Sequence, residues 1–437
     1  MEEIINNLKE ENDTNSEKSD LLNQNYWQKV KGNFMNLKKE ISLKDILGKS
    51  YPFFESMKKY HKVEYTNFMA ILPNLITLLL EGKENNFNKI KILHTDEKNS
   101  KNKLSRKQVA YIFTLAFFNI SLPVEKKNLN SFNFNFILNS NKHSTIFEFG
   151  RCFLNYLTNI GNLIKENNIE ILSEEVSFIR NCIDEYQIIN EDIPLCEIEI
   201  KEGSMYDSNA SYIVDFANKY IGGGTLHGGS VQEEILFAIQ PELSCSMAFM
   251  EMMSKNDAIR IDNTILYSNY KGYSSSFSFA ENGYNNKKRY RILAMDSVVG
   301  SLQQFKLDNI LRDLHKAYVC FNLINYDEND KIEKSIATGN WGCGVFGGDH
   351  ELKFIQQWIA ASFAKVEKLD YYSFNCKEMA NITQKFHELK TEYKTANNLY
   401  RAIMGNQKEL KRKKVLESLL REDVINSSKD GAIEVMI

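Results

Sequence analysis

The sequence predicts an α/β protein whose layered core is preceded by a helical region. Three observations carry that expectation. From Cys196 onward, short apolar strand patterns alternate with amphipathic helix patterns. From about residue 35 to 135, the apolar spacing is mostly helical. Two glycine-rich stretches, 222–229 and 337–349, each lie between a strand pattern and a helix pattern.

Taken in order, residues 1–24 are polar and rich in Asn, Glu, Ser and Asp, and are expected to be disordered. Residues 25–140 are expected to form a helical accessory domain and 141–437 an α/β domain ending in helices. Phe68 to Leu80 is an all-round apolar segment, expected to be buried, broken by Pro73 and too short to span a bilayer. In the next helix Ser105 is the expected N-cap, with Gln108 completing a capping box and Val109, Ile112, Phe113 and Ala116 forming the apolar stripe. The Asn-rich run 128–142 is read as a connector, and 146–164 as a helix. Strands are expected at 197–200, 212–216, 264–267, 291–296, 334–337 and 369–374. Helices are expected at 307–321, 351–364 and over much of 378–421. The last of these contains the basic cluster Lys411–Lys414, read first as a solvated face and second as a polymer-contact or targeting patch.

Bulk composition removes several classes. The chain has 437 residues, 43% hydrophobic and 25% charged, as in ordinary globular proteins. Its formal net charge of −3 provides no global basic field for nucleic acid, so direct DNA binding is not expected. The cysteines number seven and form no CxxC pair, against a disulfide framework or a zinc site and for a reducing intracellular compartment, cytoplasmic or nuclear. The N-terminus has no secretory pattern, and no membrane association is expected.

The chemistry concentrates between the two glycine loops. The first is neither a Walker A loop, since no Gly-Lys-Ser/Thr follows, nor a Rossmann fingerprint. It ends on Gln232-Glu233-Glu234 at a helix start. The two carboxylates have Cα atoms ~3.8 Å apart and diverge by ~100° on a helix, so they do not face each other across a bond as ordinary glycosidase pairs do. A helix N-terminus favours the carboxylate form, whereas a general acid needs its proton held more tightly. A neighbouring carboxylate and a bound diphosphate supply that opposing push. The second loop interleaves its glycines with Trp341 and Phe346, which suits a nucleotide: amides for phosphate, rings for base or ribose.

These residues resemble the poly(ADP-ribose) glycohydrolase family. The likeness rests on Gly222-Gly-Gly224, Gln232-Glu-Glu-Ile235, Val214-Asp-Phe-Ala-Asn218, Pro241-Glu-Leu243, Tyr267–Tyr273, Leu314–Tyr318 and Ala337–Gly344 with Phe346–Asp349, in family order across roughly residues 65–400. The resemblance implies a macrodomain-like α/β/α core, a mixed sheet between helices, with an N-terminal helical accessory domain. It implies hydrolysis of ribose–ribose bonds in poly(ADP-ribose) carried on modified proteins, with ADP-ribose as product, within a DNA damage response. By match of position, Glu234 is the acid/base, Glu233 binds ribose hydroxyls, and Asp215 and Asn218 position the site. Gln232 and Tyr273 are adenine-side contacts, with Tyr273 stacking. Gly222, Gly223 and Gly224 hold diphosphate together with Gly344, Val345 and Phe346, and Phe374 packs on ribose. Met205 and Tyr206 replace an Ile-Glu pair of better-known members. His227 has no assigned role. No metal and no cofactor are implied, and a monomer is expected. Two rivals remain: a macrodomain reader that binds ADP-ribose without turnover, and a hydrolase of mono(ADP-ribosyl) protein.

Overall fold

A computed structural model describes residues 50–437 except 86, 88–89, 120–127, 185–190, 282, 327–331 and 430–432. The expected disordered tail, and residues 25–49 of the expected accessory domain, lie outside these residues.

An eight-stranded mixed sheet organises the fold. Its strands are β1 (Ser100–Ser105), β2 (Glu175–Cys182), β3 (Glu197–Lys201), β4 (Tyr212–Asp215), β5 (Asp257–Leu266), β8 (Asn285–Ala294), β9 (Ser335–Gly339) and β10 (Lys368–Tyr372). A small hairpin, β6 (Asn269–Lys271) and β7 (Ser278–Ala280), stands apart from it. The order across the large sheet is β1-β2-β5-β8-β4-β9-β10-β3. From β8 to β3 all neighbours are parallel, and from β8 back to β1 all are antiparallel. The central parallel strands β4 and β9 are buried at every residue, as strands covered on both faces must be.

Side-chain alternation divides two cores. Ile213, Ile292 and Ala337 face one, with the N-terminal helices. Val214, Leu293 and Ile336 face the other, with the helices Leu307–Asn322 and His350–Phe363 and the C-terminal helices. The sheet is therefore sandwiched, and the parallel strands β3, β4, β9 and β10 deliver their C-terminal ends to one rim. In open α/β sheets, ligands bind at such a rim.

The Ser105 cap forms as expected. Its Oγ accepts from Gln108 N–H at 3.2 Å, and Gln108 Oε1 accepts from Ser105 N–H at 2.8 Å. The Pro73 break does not form: one helix runs Lys62–Glu84, with Pro73 on its exposed side, where a missing N–H and a ring crowd little. Only one face of it is buried, through Phe68, Ile71, Leu72, Leu75 and Leu78. That face packs on the helix Thr145–Lys165, where a β-carbon on Gly161 would stand 2.6 Å from Ile71 Cβ, so glycine sets how closely the helices approach. By length and composition this helix is long and apolar enough to cross a membrane, against the expectation from its 68–80 segment; 33% of its most apolar window is buried in the protein. Strands β1, β2 and the first half of β5 were not expected from sequence.

Candidate active site

The site is built where β4 ends. Asp215 closes that strand and is fully buried. Among the described residues, neither of its carboxylate oxygens has a hydrogen-bond partner. Burial pushes its carboxyl well above the ordinary range, and the neighbouring Glu234 adds to the push. The chain then turns through the first glycine loop and enters the helix Gln232–Ile239, whose first turn carries Glu233 and Glu234.

Both glutamates reach back into the loop. Glu233 Oε2 accepts from Asn218 N–H at 2.8 Å and its Oε1 from Gly222 N–H at 2.6 Å. Glu234 Oε1 accepts from Gly224 N–H at 2.9 Å and its Oε2 from Val231 N–H at 2.9 Å. Glycine is required at 223. Its φ is +47°, and a β-carbon there would stand 2.4 Å from Glu233 Oε2 and 2.6 Å from Glu234 Oε1. The N–H donors favour an ionised Glu233, but burial and the charges of Asp215 and Glu234 outweigh them and raise its carboxyl well above the usual range. Asp215 and Glu233, both buried and each beside a neighbouring carboxylate, therefore both hold their protons more tightly than free carboxyls do.

The N–H groups of Gly222 and Gly224, expected to meet a diphosphate, are engaged by the carboxylates of Glu233 and Glu234. Gly223 N–H, for its part, donates to Tyr220 O at 3.0 Å. The second loop differs. Among the described residues, the N–H groups of Gly344, Val345 and Phe346 have no acceptor, and Val345 is 76% exposed. These amides are free to meet an anion.

A cavity of about 310 Å³ runs between the start of the helix Gln232–Ile239 and the second loop; no residue of 222–229 lines it. Of the expected residues it is lined by Gln232, Tyr273, Gly344, Val345, Phe346 and Phe374, and also by Met205 and Tyr206. Asp215, Glu233 and Glu234 stand behind this lining at the Val231–Gln232 end, and Glu234 keeps 6% of its surface open. Gln232 does not present a free amide to the cavity. Its Oε1 accepts from Phe216 N–H at 2.8 Å and its Nε2 donates to Val214 O at 3.2 Å, tying the helix start to β4. Tyr206 supports the same residue, its hydroxyl donating to Gln232 O at 3.1 Å. Asn218 serves through its backbone, while its Oδ1 accepts from Tyr220 N–H at 3.0 Å.

Tyr273 and Phe374 meet at the mouth with ring centroids 5.0 Å apart and planes tilted 57°. Phe374 and Asn375 are both left-handed, at φ +55° and +52°. Such backbone is costly for non-glycine residues and clusters at functional sites. It holds the Phe374 ring over the cavity, 55% exposed.

Two residues that sequence reasoning did not single out support the loops. Asn130, in the Asn-rich connector, donates from Nδ2 to Ile221 O and Gly223 O, each at 3.0 Å. Asn340 Nδ2 donates to Ser373 O at 2.9 Å, joining the second loop to the segment that carries Phe374. Asn130 carries no signal beyond its place in the Asn-rich run, whereas Asn340 lies within the Ala337–Gly344 motif, where its own role was not legible. His227 is exposed. Among the described residues, no cluster of His, Cys, Asp and Glu suits a metal ion.

Comparison with known proteins places these features in a family. A model described as the helical domain of poly (ADP-ribose) glycohydrolase matches residues 59–180, and one described as its macro domain fold matches residues 186–381. The probable poly(ADP-ribose) glycohydrolase 2 of Arabidopsis thaliana is 31% identical over 362 residues, covering 70% of this chain and 69% of its own. The poly(ADP-ribose) glycohydrolase 1 of the same plant is 32% identical over 44% of this chain and 48% of its own. The poly(ADP-ribose) glycohydrolase 1 of Caenorhabditis elegans is 36% identical over 40% of this chain and 24% of its own.

Proposed function

The chain belongs to the poly(ADP-ribose) glycohydrolase family, and from that premise we propose that it cuts the ribose–ribose O-glycosidic bonds of poly(ADP-ribose) with Glu234 as the single proton-transfer group. The observation that carries this reading is the placement of Glu234. It is held by two backbone donors at the end of a nucleotide-sized cavity, beside two carboxyl groups that burial keeps from ionising freely. As acid, Glu234 protonates the departing ribose oxygen; the carboxylate left behind then activates water against an oxocarbenium-like centre. Glu233, pinned by Asn218 and Gly222, orients ribose hydroxyls. The Asp215 carboxylate has no hydrogen-bond partner among the described residues and acts on its neighbours through charge.

The rest of the ligand follows from the cavity. Free amides of Gly344, Val345 and Phe346 meet the diphosphate. Tyr273 and Phe374 part to take adenine and its ribose between them, an arrangement in which aromatic faces contribute stacking. The substrate is polymer on modified proteins, with ADP-ribose released, and the enzyme works as an intracellular monomer. Its free cysteines, Cys343 and Cys376 of the cavity wall among them, fit a reducing compartment.

The test is incubation with poly(ADP-ribose), products separated by size, beside a protein carrying single ADP-ribose units. The wild type is expected to shorten the polymer to ADP-ribose and to leave the single units largely in place. Glu234→Gln is expected to lose at least 10²–10⁴-fold in turnover, the usual share of general acid–base catalysis, while calorimetry still detects ADP-ribose binding. Undiminished turnover in that variant would remove Glu234 from its role. Binding without any turnover in the wild type would make the protein a reader.

A further inference from the structure

The connector that carries Asn130 meets the first glycine loop a second time, through Phe136. A β-carbon built on Gly228 would stand 3.4 Å from Phe136 Cε1 and 3.6 Å from its Cζ, so the far edge of the ring lies against bare backbone. The ring is 51% exposed, although Phe134, Ile137 and Leu138 around it are fully buried. The rings of Phe132 and Phe134 meet that of Phe113, whereas among the described residues Phe136 meets no other ring. Its helical turn, Asn135–Leu138, is held in place by side chains. Asn119 Nδ2 donates to Asn135 Oδ1 at 3.0 Å, and Asn139 Nδ2 to Asn135 O at 2.7 Å. Single exposed rings are common on protein surfaces; this one is distinguished by where it stands.

That place is the loop side of Glu234. A β-carbon on Gly229 would stand 2.7 Å from both Cδ and Oε1 of Glu234, so the carboxyl lies directly against this glycine. Gly228, which meets the Phe136 ring, is its neighbour in the chain, and its φ of +101° favours glycine. Two residues without side chains therefore separate the ring from the carboxyl. The two oxygens of Glu234 are held on different sides. Oε2 accepts from Val231 N–H, and Val231 lines the substrate cavity. Oε1 accepts from Gly224 N–H, in a loop that contributes no residue to that lining. The carboxyl thus stands between the cavity and the loop tip that carries Phe136.

We propose that Phe136 stacks the adenine of the departing ADP-ribose unit, making the loop tip a subsite for the part of the polymer that leaves. The inference rests on the glycohydrolase reading above. The cavity holds the unit whose glycosidic carbon is attacked. The oxygen that Glu234 protonates is then the 2′ oxygen of the next unit's adenosine. Adenine is borne on the ring carbon beside that oxygen, so the departing base lies close to Glu234 and outside the cavity. There the bare backbone of Gly228 and Gly229 leaves room for a flat group, and Phe136 supplies the aromatic surface on which a base stacks. A leaving group without a base gains nothing from this ring.

The test compares wild type with Phe136→Ala, Phe136→Leu and Phe136→Trp on a two-unit oligomer and on the same oligomer whose departing ribose carries no base. The wild type is expected to favour the complete oligomer about tenfold in kcat/KM, within the range for one base–aromatic stack. Phe136→Ala is expected to lose that preference. Phe136→Trp should keep it, and Phe136→Leu, apolar but not flat, should not. Calorimetry with ADP-ribose, which has no departing unit, reports that the cavity is intact in each variant. A wild type without the preference, a Phe136→Ala variant that retains it, or equal losses on both oligomers would overturn the proposal. So would a leucine that serves as well as tryptophan. If the wild type cuts neither polymer nor oligomer, the glycohydrolase reading fails; if it cuts both and the variants match it, only the Phe136 subsite fails.

Discussion

The side-chain amide of Asn130 donates to the carbonyl of Gly223 at 3.0 Å, tying a polar connector to the loop that holds Glu233 and Glu234. It also reaches Ile221 O at 3.0 Å and Tyr220 O at 3.4 Å. A single side-chain amide thereby reaches three carbonyls at the entry of the loop, those of Tyr220, Ile221 and Gly223. Hydrogen bonds of this kind contribute about 0.5–1.5 kcal/mol each, and 1.36 kcal/mol on a barrier is tenfold in rate. Asn130→Ala is expected to lower kcat about tenfold with little change in melting temperature, because water can satisfy the half-buried carbonyls. Unchanged kcat would mean the loop holds its shape without the clamp.

Gly223 cannot carry a side chain. Besides the collision with both glutamates, left-handed backbone costs roughly 1–2 kcal/mol for other residues. Gly223→Ala is expected to cut turnover more than a hundredfold by displacing Glu233 and Glu234. The measurement is kcat beside a melting curve; turnover within tenfold of the wild type would show that the loop accommodates a side chain at 223.

Asp215 predicts a pH dependence of stability. Burial raises its carboxyl in the folded protein above the unfolded value of about 3.9. The folded state then retains a proton that the unfolded state releases. That contribution is fully present below about pH 4 and is lost as pH climbs through the raised folded value, by up to about 1.4 kcal/mol per pH unit for a single group. Glu233 has the same sign. Asp215→Asn removes one of the two titrations. Melting curves from pH 5 to 9 should show the variant gaining on the wild type as pH rises; parallel curves would count against a buried, proton-holding Asp215.

Arg106 predicts a large stability effect away from the cavity. Its guanidinium is fully buried, bonded to Glu242, to Glu174 Oε2 at 3.0 Å and to Asn263 O at 2.9 Å. Glu242 follows the helix Gln232–Ile239 and also accepts from Tyr267 Oη at 2.8 Å. Arg106→Ala strands a buried carboxylate and is expected to cost about 3–5 kcal/mol. Denaturant midpoints would measure it, and Arg106→Met with Glu242→Gln should recover much of the loss, since the uncompensated charge is then gone.

Local patterns carried much of this structure. The Ser105–Gln108 capping box, the helix opening at Gln232, and the strands that end at Asp215, Gly339 and Tyr372 were all legible, because each depends on neighbours within a few residues. Strand β1 was not legible: its inward positions are Ser100, Asn102 and Leu104, and Asn102 is satisfied by donating to Lys91 O at 2.8 Å. Strand β2 hid for a related reason. Arg180 occupies a core-facing position and is neutralised by Asp257 on the neighbouring strand.

By itself, the sequence determined the kinds of element, the two glycine loops, and a glutamate pair at a helix start, since backbone preference and short-range capping act along the chain. Only the tertiary structure decided which groups those loops would serve. In the first loop Gly222 and Gly224 turn their amides to Glu233 and Glu234, in the second the amides of Gly344, Val345 and Phe346 have no acceptor among the described residues, and the Asp215 carboxylate is enclosed without a hydrogen-bond partner among them. Those outcomes depend on desolvation and on donors contributed from distant parts of the chain, and both exist only once the sheet has closed around them.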